Sequence, residues 1–170
     1  MLETSRLKLV PLTHAQLLLY KSNPEELANS LKVKYIERQH DPLTINDLED
    51  AIEFWITNTL LHADHFEWFT NWEILLKHER LAIGGIGFAG VPDEEGKSIV
   101  GYGLDIRFHG HGYATEALAA LLKWGFVRES LKTVIADTPL KNIPSQKVLI
   151  KNQFNEIGRD ETLIHWSLNR

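Results

Sequence analysis

Arg107-Phe108-His109-Gly110-His111-Gly112-Tyr113-Ala114-Thr115-Glu116-Ala117-Leu118 joins an apolar, strand-like run, SIVGYGLDI at 98–106, to a helix-like run, YATEALAALLKWGF at 113–126. A strand that passes through a glycine-bearing turn into a helix leaves the helix's first N–H groups pointing at open space. No Ser, Thr, Asp or Asn stands between His109 and Tyr113 to cap those donors. Such a turn suits an external anion, a pyrophosphate foremost. Gly110 and Gly112 permit unusual backbone angles and the close approach of a ligand. The alternative is a helix capped by glycine with nothing bound. The turn is not a P-loop, because no Lys-Ser or Lys-Thr follows the second glycine, and the dinucleotide fingerprint needs a further glycine after Gly112.

On the N-terminal side of the turn, LAIGGIGFAGV (81–91) and SIVGYGLDI flank the turn DEEGK (93–97) and read as a hairpin. FEWFTNWEILL (66–76) is aromatic and β-prone, which predicts a strand. Residues 6–12 set Leu7, Leu9 and Pro11 against Lys8, Val10 and Leu12, as an early strand would. Thr13 is placed to cap a helix from His14 to about Lys21, Asn23-Pro24 breaks it, and Pro24-Glu25-Glu26 opens another. Thr44 and Asp47 are cap candidates for a helix through Leu61, whose positions Leu48, Ala51, Ile52, Trp55, Ile56 and Thr59 follow helical spacing. The Trp-rich run from Trp55 to Trp72 reads first as core and second as an acceptor site or dimer contact.

On the C-terminal side, Ala114, Ala117, Leu118, Leu121, Leu122 and Gly125 form one broad helical face, with small residues at 114 and 117 for close approach to a sheet. A strand at 134–137, a helix at 144–152 and a terminal strand pair around IGRDETLIHWSL complete the chain. Strands mixed with helices in this order predict an α/β or α+β fold on a mixed sheet, and 170 residues predict one domain, 1–170.

Composition bounds the function. There are 23 acidic and 18 basic residues, a formal net charge of −5, without the basic excess of a nucleic-acid partner. A mildly acidic surface tolerates a cationic amine. The absence of cysteine excludes disulfides, thiolate metal sites and a covalent acetyl-cysteine intermediate. No apolar run approaches the roughly 20 residues of a membrane span. The start, MLETSRLKLVPL, reads as a strand without an apolar signal region, so a cytoplasmic protein with no membrane partner is expected.

Arg-x-x-Gly-x-Gly followed by Tyr-Ala-Thr-Glu-Ala-Leu resembles the acetyl-CoA-binding motif of the GNAT N-acetyltransferase superfamily. The continuation GYATEALAALLKWGF is similar to the branch that acetylates protein N-termini, ribosomal proteins among them. TVIADTPLKNIPSQKVLIKNQF (133–154) resembles the family's strand, Asn-x-x-Ser and helix, with Asn142 and Ser145 on the Asn and Ser positions. The resemblance is strong over 80–168 and weak over 13–65. It implies a GNAT-like, mostly antiparallel central sheet flanked by helices, with acetyl-CoA as co-substrate. The strand end and turn, Leu104, Asp105, Ile106, Arg107, His109, Gly110, His111, Gly112, Tyr113 and Ala114, would hold the cofactor together with Asn142 and Ser145. The acceptor would be a small-molecule or peptide amine attacking directly in a ternary complex, on a monomer or homodimer. No metal is required. A small-molecule acetyltransferase and a non-catalytic acyl-CoA-binding domain are the other readings.

Two family devices are missing. The tyrosine that protonates the leaving thiolate falls at Leu149, and the carboxylate of the strand before the turn falls at Ile99. Gln153 also replaces the glycine before Phe154. Glu73, between Trp72 and Ile74, is the candidate base, since burial among aromatics raises a carboxyl's pKa; the alternative is a solvent-facing strand residue. Asp105 can receive an amine proton through water or simply end a strand, and Tyr102 is an alternative acid of uncertain facing. His109 and His111 contribute backbone amides or shuttle a proton. Asn142 can hold the pantetheine amide, and Ser145 can bond the thiol or cap a helix. Glu116 suits the helix dipole and is expected to point away from the pyrophosphate. His62, Asp64 and His65 form a weak metal constellation whose alternative is solvated side chains.

Overall fold

Runs rich in Leu, Ile, Val and aromatic residues, separated by Gly, Asp and Pro, assemble into one eight-stranded sheet. The computed structural model describes residues 1–42 and 45–170, with backbone alone at 45–47. The strands are β1 (Leu2–Glu3), β2 (Leu7–Pro11), β3 (Trp72–Leu76), β4 (Leu81–Phe88), β5 (Lys97–Leu104), β6 (Thr133–Pro139), β7 (Asn155–Arg159) and β8 (Leu163–Asn169). Their order is β1-β2-β3-β4-β5-β6-β8-β7. Every pairing is antiparallel except β5 with β6. The helices are α1 (His14–Ser22), α2 (Pro24–Ser30), α3 (Ile45–Leu61), α4 (Tyr113–Phe126) and α5 (Ile143–Lys151). The mixed, mostly antiparallel sheet flanked by helices is the one expected.

Parallel neighbours need a crossover, and α4 supplies it between β5 and β6. Its buried stripe, Ala117, Leu118, Leu121, Leu122 and Gly125, joins Leu9, Ile74, Ile83, Ile86, Phe88 and Val134 in the main core. Each fully buried leucine there contributes about 1.5–3 kcal/mol. The closest approach is at Gly125, where a Cβ would stand 2.8 Å from Leu131 Cδ2 and 3.0 Å from Phe88 Cζ. Trp68, Trp72, Phe88 and Trp124 interlock, with Trp68 and Trp124 centroids 4.9 Å apart. The tryptophans of the Trp-rich run thus serve the cores, Trp68 and Trp72 the main one and Trp55 the smaller, while 60–65 stays exposed. The opposite face of the sheet carries a smaller core of Leu12, Leu17 and Leu27, closed by Trp55 and Ile56 of α3.

Three local expectations change. Only 72–76 of the aromatic run is strand; Ala63–Trp68 is a 3-10 turn, held by the Trp72 indole donating to Glu67 O at 2.8 Å. The strand expected over 98–106 stops at Leu104, where Asp105 caps a short 3-10 turn, Ile106–Phe108, by accepting from Arg107 N at 2.9 Å. Ala114 is half-buried and does not join the sheet-facing stripe. The caps expected at Thr44 and Asp47 lie outside the described residues. Thr13, by contrast, caps α1 in a reciprocal box with Gln16.

The feature that matters for function is where β5 and β6 part. Their pairing runs only through Lys97/Thr133, Ser98/Val134 and Ile99/Ile135. Both strands continue beyond it, to Leu104 and Pro139, and a wedge opens between them.

Candidate functional site

On the α4 side the wedge leads into a cavity of about 330 Å³. The end of β5, the turn, the first residues of α4 and one face of α5 line it. Of the residues expected to hold a cofactor, Leu104, His109, Gly110, Gly112, Tyr113, Ala114, Asn142 and Ser145 come together here. Gly112 is the N-cap of α4 with φ 78°, and no side chain caps that helix. Gly110 has φ 79°, and a Cβ built on it meets nothing within 4 Å. The turn therefore leaves free helix amides beside an open cradle, which fits a phosphate group.

Asp105, Ile106, Arg107 and His111 do not line the cavity. Asp105 is buried and turned away, accepting from Gln39 N at 3.0 Å and from Arg107 Nε at 2.9 Å. Arg107 also donates to Glu37 O at 2.8 Å, so the pair fastens 37–39 to the strand end. The Arg107 guanidinium bonds hold the Asp105 carboxyl well below the usual range, outweighing its burial. An acid so committed is a latch, not a water-linked base. His111 stacks on Tyr113 and bonds His109 O through Nδ1 at 2.8 Å. Glu116 points away as expected, pairing with Arg6 at 2.6 Å and accepting from Thr4 at 2.5 Å. Burial pushes its carboxyl up, but the bonds from Thr4 and Arg6 prevail and hold it below the ordinary value.

At the other end of the cavity Asn142, not Ser145, caps α5: its Oδ1 accepts from Ser145 N at 3.1 Å. Ser145 is thereby left with a free role for its hydroxyl, which lies 2.9 Å from the Tyr102 hydroxyl. Tyr102 alternates to the cavity side of β5, which settles its facing. Burial pushes the Tyr102 phenol up to about 12, against the Ser145 bond that lowers it, so the phenol keeps its proton at neutral pH. Leu149 is fully buried in the main core and does not reach the cavity. Its neighbour Val148 does, as do Lys147 and Lys151, one helical turn apart. Those two lysines escaped the sequence reading, although their i, i+4 spacing beside Ser145 was a usable signal.

A second cavity, of about 300 Å³, lies on the opposite face, between α2, the 34–40 segment, α3 and the sheet. Its walls include Tyr20, Leu27, Leu31, Tyr35 and Ile52, with Arg38 and Glu73 among its polar members. Glu73 is neither solvent-facing nor a carboxyl isolated among aromatics. It is fully buried, ion-paired with Arg38, and accepts from Asn71 Nδ2 at 2.8 Å. Across the sheet Glu73 stands in register with Gly85 and then Gly103. At Gly85 the Asn71 side chain fills the space a Cβ would take, whereas a Cβ at Gly103, at the lip of the wedge, would meet nothing within 4 Å. His62 stacks on Phe69 at 4.3 Å, and no group of metal-binding side chains occurs among the described residues.

A model of the acetyltransferase (GNAT) domain matches residues 6–155. The chain is 30% identical over 121 residues to an N-acetyltransferase of Bacillus subtilis, YjdG, itself described as uncharacterized; the match spans 71% of each chain. Ribosomal-protein-S5-alanine acetyltransferase from Vibrio fischeri superposes with a TM-score of 0.68 at 18% identity, covering 98% of this chain and 94% of that one. RimL, ribosomal L7/L12 alpha-N-protein acetyltransferase, in complex with coenzyme A, superposes with a TM-score of 0.68 at 17% identity over 98% and 95% of the two chains. At these identities the likeness to the solved structures is one of fold.

Proposed function

The chain belongs to the acetyltransferase (GNAT) family, and from that premise we propose that it moves an acetyl group from acetyl-CoA to a primary amine, peptide N-termini included. The observation that carries this reading is the cavity of about 330 Å³ between the uncapped start of α4 and the hydroxyl of Ser145. The cradle at Gly110 and Gly112 would take the pyrophosphate, with Lys147 and Lys151 supplying positive charge. Acetyl-CoA brings an activated thioester. The protein's part is to align that thioester with an amine, which alone supplies several kcal/mol of barrier reduction.

Ser145 is the residue we assign to protonating the thiolate, with Tyr102 behind it at 2.9 Å as the group that restores its proton. The two hydroxyls stand in for the tyrosine that Leu149 lacks. Glu73 keeps a place at the acceptor side. Its carboxylate already answers Arg38 and Asn71, so its role there is to fix the cavity wall and the charge of the acceptor pocket. The mainly apolar walls of that pocket suit an acceptor with an apolar group next to its amine.

The test is a panel of alkylamines and short peptides incubated with acetyl-CoA, reading released CoA. Turnover that depends on a peptide N-terminus fixes the substrate class. Tight acetyl-CoA binding without turnover of any amine overturns the enzymatic reading in favour of an acyl-CoA-binding domain.

A further inference from the structure

The open face of the wedge carries a side-chain constellation that the cofactor cavity does not use. Along β6, Val134, Ala136 and Thr138 are buried, so Ile135 and Asp137 look out on the other face. Ile135 is in register with Ile99, and Gly101 and Gly103 follow Ile99 on the same face of β5. A Cβ at either glycine would meet nothing within 4 Å. Two residues past the last paired position, Gly101 and Asp137 therefore form the two lips of the opening. An amine approaching a thioester held in the wedge from this face meets bare backbone on one lip and a carboxylate on the other.

Asp137 is not alone. His165 is its partner across the β6–β8 ladder, and Asp137 Oδ1 lies 2.7 Å from His165 Nδ1. On the other side of the ring, His165 Nε2 faces Asp160 Oδ2 at 3.3 Å. Asp137 and Asp160 retain 43% and 51% of their side-chain exposure and His165 36%, so the group is open to a ligand. Asp160 is itself fixed as a carboxylate, its carboxyl held down to about 2 by the amides of Thr162 and Leu163 and by the Thr162 hydroxyl. In the neutral ring one nitrogen carries the hydrogen and the other presents its lone pair to a carboxylate, so one further proton completes a ring that donates to both Asp137 and Asp160.

We propose that Asp137 takes the proton of the acceptor's ammonium and that His165, set between Asp137 and Asp160, stores it. This rests on the acetyltransferase reading and supplies the proton acceptor that Ile99 and Glu73 do not. The balance is complete. The ammonium passes one proton to Asp137, and it comes to rest on the His165 ring, which as imidazolium donates to both carboxylates. The amine nitrogen forms its bond to the acetyl carbon as the carbon–sulfur bond breaks. The second amine proton goes to solvent, and the thiolate takes one from Ser145. Before the step the three side chains carry two negative charges, which attract a cation; afterwards they carry one. Asp137 touches the substrate, whereas His165 and Asp160 act through it.

The charged groups facing His165 are Asp137 from β6 and Asp160 from the β7–β8 turn. The bond to Asp137, then the charges of both carboxylates, raise the imidazole's pKa above the ordinary value. A protonated His165 has no room for a further proton. Activity should therefore rise with pH through a value above the usual histidine pKa of about 6.5.

The experiment compares the wild type with Asp137→Asn and His165→Gln at saturating acetyl-CoA. The probes are benzylamine and the peptide Ala-Ala-Ala, which arrive as ammonium ions, and semicarbazide, which is neutral at the assay pH. Expected are an acetyl-CoA Kd within twofold of wild type and a loss of roughly 10²-fold or more with the two ammonium probes in Asp137→Asn. With semicarbazide the loss should be far smaller, and His165→Gln should lose the acidic limb of kcat/KM. Equal losses with all probes, or none, overturn the proposal. A second measurement needs no acceptor: the His165 ring resonances and the Gly110 and Gly112 amides are followed by NMR as acetyl-CoA is added. All three should move. If the glycines move and His165 does not, the proposal is overturned and the cofactor reading stands. If neither moves, the cofactor reading itself fails, and the proposal with it.

Discussion

The two sides of the β5–β6 wedge are made differently. The side proposed for the cofactor is built from backbone: a glycine N-cap, a second glycine facing open space, and helix amides that no side chain caps. The side proposed for the acceptor is built from side chains brought together from separate segments, Glu73 of β3 with Arg38 of the 34–40 segment and Asp137 of β6 with His165 of β8. Backbone sites are specified by a few consecutive residues and tolerate drift elsewhere. Side-chain sites depend on register and burial. Changes on the acceptor side should therefore cost stability or rate and spare acetyl-CoA affinity, while changes at the turn should do the reverse.

The largest effect that sharpens this contrast is expected from Glu73→Gln. It leaves the Arg38 guanidinium, only 15% exposed, without its counter-ion. Loss of one partner of a buried pair costs about 3–5 kcal/mol. Chemical denaturation should show that loss, while calorimetry on the folded variant returns the wild-type acetyl-CoA Kd. A matching fall in affinity would show that the two sides are not separable. Asp105→Asn should cost less, about 1–3 kcal/mol, by breaking the latch to 37–39. Its pH dependence has a definite sign. The folded carboxyl lies below its unfolded value, so its stabilisation is complete above pH about 4 and fades as pH falls further. Denaturation midpoints taken from pH 6 down to 3 should draw closer for wild type and variant without meeting, since the folded carboxyl is still ionised at pH 3.

Tyr102→Phe should slow transfer by about tenfold or less without altering acetyl-CoA affinity, because Ser145 keeps its place and loses only the group that restores its proton. A steady-state rate equal to wild type would return that task to solvent. The smallest effect is expected at Gln153, which holds φ 65° at the end of α5, where a side chain is strained. Gln153→Gly should stabilise by about 0.5–1 kcal/mol in a thermal melt, since relief of left-handed strain exceeds the entropy glycine adds to the unfolded chain.

The same contrast governs what the sequence could disclose. The strand–turn–helix is local, so the ends of α4, its missing cap and its buried stripe were readable from consecutive residues. A mixed sheet followed from the order of elements, and its mostly antiparallel pairing from the family resemblance. The surroundings of Glu73 were not readable, because its counter-ion comes from Arg38 in the least patterned part of the chain. The aromatic run at 66–76 has strand composition throughout, yet packing of Trp68 and Phe69 under β4 shortens the strand to its last five residues. Asp105 sits in a motif associated with the cofactor, and only the fold shows that it turns to Gln39. Asp137 and His165 meet solely through the β6–β8 register.

The central claim is that the turn at 109–113 is an anion cradle made of backbone. Gly110 offers the most direct test, because asparagine and aspartate both tolerate its left-handed conformation and differ only in charge. Calorimetric titration of acetyl-CoA into the wild type, Gly110→Asn and Gly110→Asp is the measurement. The account predicts a modest loss for asparagine and at least a further tenfold loss for aspartate, about 1.4 kcal/mol, from a carboxylate set against the pyrophosphate. Equal affinities for the two variants would contradict it.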